Sequence, residues 1–140
     1  MDDESETGEE PVYLILEDAL EIYAAIIDST ATQAADHLRS RDALEGALGR
    51  PAHYAHYQQA DLALQAAVLA HGIAETQPFI DGNKRTALVA MLTFLEINGY
   101  RVRATDPELA DWIISLSRGT RPELLAETLR DRLSDVTPGA

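Results

Sequence analysis

The run TQPFIDGNKRTALVAML, Thr76 to Leu92, passes from a polar loop into an apolar helix within a few residues. From Asn83 the pattern reads as helix to Asn98, with Leu88, Leu92 and Leu95 inside and Gly99 placed to stop it. The first amides of a helix have no intrahelical acceptors, and the helix dipole adds partial positive charge there. Backbone N–H groups around Gly82, Asn83 and Lys84 are therefore placed to wrap an anion. Gly82 permits close approach and an unusual dihedral. Arg85 can clamp phosphate oxygens in a bidentate fork, and Lys84 supplies a compact charge. Asp81 is an odd neighbour for phosphate unless a cation such as Mg²⁺ lies between them. Phe79 is expected to point into the core and fix the loop. A plainer reading stands beside this one: Asp81-Gly82-Asn83 is a good turn and N-cap for any helix, with Lys84 and Arg85 simply solvated.

Working outward, the chain reads as helix nearly throughout. Leu16, Leu20, Tyr23 and Ile27 form one stripe, which Ala19, Ile22 and Ile26 widen. Asp42 and Glu45 are spaced as a capping box for a short helix ending near Gly49-Arg50-Pro51. A long helix is predicted from about Gln59 to Glu75 on the repeat Leu62, Ala66, Leu69, Ile73. Thr105, Asp106 and Pro107 announce another through Trp112 and Leu116, ended by Gly119. Thr120 and Glu123 are spaced to cap the last, through Leu125, Leu129 and Leu133, and the tail 137–140 reads as frayed. Between Leu48 and Gln58, LGRPAHYAHYQ breaks the helical period and is expected to form a short hairpin or irregular loop. Tyr54 and Tyr57 there either face a partner or cover the end of the bundle.

Composition narrows the classes. A length of 140 residues with 46% hydrophobic residues suits one domain with a single core. The formal net charge of −13 opposes counterion-release binding to nucleic acid. Residues 1–10, MDDESETGEE, hold six of the acids and no cation, and read as a solvated, disordered arm ahead of a domain over 11–136. They have neither a basic nor an apolar segment of the kind a secretory signal needs. No apolar run is long enough to span a bilayer, and the lack of cysteine suits a reducing compartment. The expectation is a cytoplasmic protein.

The segment PFIDGNKRTAL, residues 78–88, resembles the signature loop of the Fic/Doc family, and specifically its Doc (death-on-curing) branch. Family members read H-P-F-x-[D/E]-[A/G]-N-[G/K]-R, and this chain matches from Pro78 to Arg85 and continues as TALVAMLTFLEINGY. A weaker likeness runs upstream through YLILEDALEIY and DALEGALGRP, so the resemblance covers most of residues 12–133. It implies an all-α, single Fido-type bundle of about six helices, with a flap near 48–58 where His53, Tyr54 and Tyr57 would meet a target chain. It also implies that Asp81 binds Mg²⁺, that Gly82 and Asn83 form an anion hole, and that Lys84 and Arg85 contact the phosphates of ATP. Ordinary Fic proteins, which transfer AMP, have glycine at the position of Lys84 and a second arginine at that of Leu88. Both departures resemble Doc, where the γ-phosphate is transferred. The implied function is that of a toxin phosphorylating a hydroxyl on elongation factor Tu, paired with a Phd-like antitoxin; an AMP transferase is the alternative.

The chain departs from the motif at Gln77, where the family has its general-base histidine. A glutamine amide keeps the reach and hydrogen-bonding capacity but accepts no proton at physiological pH. General-base action is worth about 10²–10⁴ in rate, while positioning and charge stabilisation, which dominate phosphoryl transfer, would remain. The expectation is slow residual chemistry with nucleotide binding intact, or a nucleotide-binding pseudoenzyme that sequesters a partner. Substitute bases are poorly placed: His71 lies six residues upstream, and His53 and His56 lie in the expected flap. Gln77 reads either as a disabling substitution that let a toxic enzyme be produced, the parent protein being an active toxin, or as the natural residue of a weakened or repurposed relative. The retention of Asp81, Asn83, Lys84 and Arg85 favours the first.

Overall fold

A computed structural model describes residues 10–136, so the tail expected to fray and, apart from Glu10, the arm expected to be disordered lie outside the described residues. Seven helices form among them: α1 Leu16–Ile26, α2 Ala31–Asp36, α3 Arg41–Gln58, α4 Leu62–Thr76, α5 Asn83–Ile97, α6 Asp106–Ser117 and α7 Pro122–Arg132. The expected all-α bundle is observed. One small antiparallel ribbon joins it, β1 Tyr100–Val102 with β2 Leu133–Asp135, in the register Tyr100↔Asp135 and Val102↔Leu133.

The bundle is organised around α4, which packs against α3, α5, α6 and α7. A helix apolar on all sides is one surrounded by others, and α4 buries Ala63, Ala66, Ala67, Leu69, Ala70, Ile73 and Ala74. Its alanines keep the axes close. The contact with α3 is tight at Gly72, where an added Cβ would lie 2.9 Å from Ala47 Cβ. α5 covers a second side with Ala87, Ala90, Met91, Phe94 and Leu95, all fully buried.

Several expectations are corrected. Residues 48–58 are neither hairpin nor loop but the continuation of α3, with Pro51 inside the helix. Gly49 and Pro51 read as breakers, yet Leu44, Ala47, Leu48 and Pro51 are all buried at helical spacing against α4. That burial outweighs the roughly 3 kcal/mol penalty of an internal proline. The helix begins not at an Asp42/Glu45 box but at Ser40, whose Oγ accepts from the Ala43 amide at 3.0 Å. It ends where Gln59 turns left-handed, φ 50°. α4 accordingly starts at Leu62, capped by Asp61 through the Leu64 amide at 2.9 Å. α7 takes Arg121 as N-cap with Pro122 in its first turn, in place of a Thr120/Glu123 box. Short α2, which Thr30 and Gln33 cap reciprocally, and the ribbon were not anticipated.

The Gly72 contact gives a direct test of the α3–α4 approach. Gly72→Val is expected to lower stability by about 1–3 kcal/mol through overpacking. Gly46→Ala, in the same α3 but with open space around the added methyl, should gain about 0.5–1 kcal/mol. Urea midpoints at unchanged slope would read both.

Candidate active site

α4 ends at Gln77, a non-glycine residue in the left-handed region at φ 50°, ψ 63°. Its amide still donates to Ile73 O at 3.0 Å, and its carbonyl accepts from Arg39 Nη2 at 2.5 Å. The next residues lie against the segment joining α2 to α3. Pro78 O accepts from the Arg39 amide at 2.7 Å and the Ser40 amide at 3.0 Å. The Ile80 amide donates to His37 O at 2.9 Å, and Leu38 bridges Phe79 in antiparallel fashion. Phe79 turns inward as expected and is fully buried. Its ring stacks on Tyr23 of α1 with centroids 3.9 Å apart and planes within 3°.

Asn83 closes the loop with both halves of its amide. Its Oδ1 accepts from the Phe79 amide and its Nδ2 donates to the Phe79 carbonyl, each at 2.9 Å. Gly82, at φ 72°, is the N-cap of α5 and offers no side chain to its first amides. Thr86 Oγ1 donates to Gly82 O at 2.8 Å, tightening the first turn. Asp81 Oδ1 accepts from the Tyr23 hydroxyl at 3.0 Å. Lys84 and Arg85 are exposed, and neither makes an ion pair with another described residue.

The result is a pocket of about 300 Å³, walled by Ala74 and Gln77 on one side and by Ile80 to Arg85 on the other. Uncapped amides, a lysine, an arginine and one carboxylate meet there, a donor set suited to an anion with its counter-cation. A larger groove of about 610 Å³ runs between α1 and α5 past Tyr13, Ile22, Val89 and Ile97. It is mainly apolar, with Asp18 and Glu21 its only charges, and holds no comparable set of reactive groups.

The structure therefore brings Gln77, Asp81, Gly82, Asn83, Lys84 and Arg85 together around one cavity. It does not bring His53, Tyr54 and Tyr57 there: they form an aromatic cluster on the last turns of α3, with His53 and Tyr57 centroids 4.6 Å apart. His71 is engaged elsewhere, with Arg50 Nη1 3.2 Å from its Nδ1. Glu75 Oε1 lies 4.0 Å from the same nitrogen, and His71 is not among the residues that line the pocket.

Sequence reasoning missed Tyr23, Arg39 and His37 as partners of the loop. Tyr23 was legible as a member of the α1 stripe; only its polar tip hinted at a partner, since buried tyrosine hydroxyls generally find one. Burial, with hydrogen bonding and charge from Asp81, pushes the Tyr23 hydroxyl up to about 12, so it stays a donor throughout the physiological range. His37 leans on Tyr23 at 5.9 Å, and its Nδ1 is buried without a hydrogen-bond partner.

A model of the Fic/DOC family matches residues 13–95, from α1 through α5 and over the whole loop. The match spans more than half of the chain. The chain belongs to the Fic/DOC family. Members of this family are typically transferases. No curated protein matches the chain. Among the described residues, no helix is long and apolar enough to cross a membrane.

The Asn83 clamp carries a testable consequence. Asn83→Ala leaves the buried Phe79 amide and carbonyl without side-chain partners, each costing about 1–3 kcal/mol. A loss of about 2–4 kcal/mol in chemical denaturation is expected, against less than about 1 kcal/mol for Lys84→Ala on the exposed face of the same turn.

Proposed function

We propose that this chain is a Doc-type toxin whose loop binds ATP with Mg²⁺ for transfer of the γ-phosphate to a hydroxyl of a translation factor. Elongation factor Tu is the target by resemblance, and a Phd-like antitoxin the partner. The observation that carries the reading is the convergence of Asp81, Gly82, Asn83, Lys84 and Arg85 on one cavity at the head of α5. Leu88 supports a Doc-type over an AMP-transferring arrangement: it is half-buried and packed against the core, so no cation is supplied from that turn.

Each residue has a role in this reading. The uncapped amides after Gly82 and the Arg85 fork hold phosphate oxygens, and Lys84 adds a point charge. Asp81 is the carboxylate for Mg²⁺. Among the described residues no group of three or more His, Cys, Asp or Glu side chains is disposed to hold a metal by itself. A single carboxylate fits Mg²⁺ that arrives with phosphate and water ligands, which is how the ion is usually held. When bound, it neutralises charge on the phosphates. Gln77 stands at the lip where a proton would leave the attacking hydroxyl, and it can orient that hydroxyl without accepting the proton.

A second reading is favoured by Gln77 and by the engagement of His71 with Arg50: a nucleotide-binding pseudoenzyme that sequesters its partner without chemistry. The two readings separate in one assay. Elongation factor Tu is incubated with ATP labelled at the γ- or the α-phosphate, with the chain as it stands or as Gln77→His. The toxin reading expects γ label on the factor with the histidine form, raised about 10²–10⁴-fold over the glutamine form. Transfer of α label would make the chain an AMP transferase. Tight ATP binding with no transfer by either form would support the pseudoenzyme. ATP at ~100 times its dissociation constant should add about 2.7 kcal/mol of stability; no nucleotide-dependent rise in melting temperature would refute both readings.

A further inference from the structure

We infer that Tyr23 is a positioning residue for Asp81, holding its carboxylate in the orientation that receives the Mg²⁺ of a bound nucleotide. The inference rests on the nucleotide-binding reading of the loop and adds a residue from α1 to that site.

Asp81 is exposed and lies between helices, so nothing in its own backbone fixes its side chain. The contact that does is the Tyr23 hydroxyl, 3.0 Å from Oδ1. The hydroxyl is itself held in place. The Tyr23 ring is fully buried, stacked on Phe79 at 3.9 Å, and its Cε1 would lie 3.4 Å from a Cβ at position 82. One aromatic side chain thus touches the loop at residues 79 and 81 and leaves room for no more than van der Waals contact at position 82. With Oδ1 engaged by a neutral donor, Oδ2 remains for a cation. Carboxylates that ligate metals are commonly oriented by such an outer hydrogen bond, and removing the outer partner typically costs about 10–100-fold in metal affinity. A tyrosine that merely filled the core would give its hydroxyl to the nearest acceptor without affecting the ion.

The experiment measures ATP affinity of the intact chain calorimetrically, with Mg²⁺ and with EDTA. Tyr23→Phe keeps the ring and its stack while deleting the donor, and a melting curve confirms that the variant is folded. The Mg²⁺-dependent tightening of ATP binding is expected to shrink by roughly 10–100-fold, with the EDTA affinity unchanged. In an Asp81→Ala background the same substitution should have no further effect, because the two residues act as a unit. Equal weakening with and without Mg²⁺, an unaltered Mg²⁺ dependence, or the same loss in the Asp81→Ala background would each overturn the assignment. If the parent chain binds ATP with no Mg²⁺ dependence, or does not bind it, the reading of the site itself fails, and the positioning role fails with it.

Discussion

Two hydrogen bonds from one amide hold the whole site in register. Asn83 grips the backbone of Phe79 at both its N–H and its C=O, tying the start of α5 to a residue four positions earlier. Everything between them, Ile80 to Gly82, is thereby closed into a ring with fixed ends. Asp81 stands on the outside of that ring and Gly82 turns it into the helix. Because Asn83 is largely buried, water does not compete for its amide, and the clamp keeps most of its strength. A side-chain amide suits this position because it presents donor and acceptor together to match a peptide group.

The clamp would be of little use on a loose base. α4 delivers the chain to Gln77, and the 37–40 segment pairs with residues 78–80 from the other side. The Phe79–Tyr23 stack then ties the loop to α1. The site is thus built where three parts of the bundle meet, and its rigidity derives from the core beneath it. The groups that face solvent, Lys84, Arg85 and the Asp81 carboxylate, are carried on a frame held by the Asn83 clamp, the 37–40 pairing and the Phe79–Tyr23 stack.

Much of this was legible in sequence because it is local. The apolar spacing in α1, α4, α5 and α6 marks their faces, and the loop residues are contiguous, so Asp81 to Arg85 had to be neighbours in space. What escaped was of two kinds. In α3, Gly49 and Pro51 are local signals for a break, and tertiary burial of the stripe from Leu44 to Pro51 overrode them. That override displaced the expected flap: the backbone that does lie along the loop is 37–40, a stretch with no periodicity to advertise it. The other kind is long-range. Tyr23 meets Asp81 across 58 positions, and Arg39 reaches Gln77 across 38; no spacing rule connects residues so far apart.

The left-handed backbone at Gln77 has a consequence in genetic terms. A residue in that region ahead of a proline is doubly disfavoured, and this one is stabilised by its bonds to Ile73 and Arg39. Histidine enters the left-handed region more readily than most side chains, so it would fit this backbone without rearrangement. Glutamine and histidine codons differ only in their third base. On the proposed reading, a single transversion at this codon separates the glutamine from the family's base histidine.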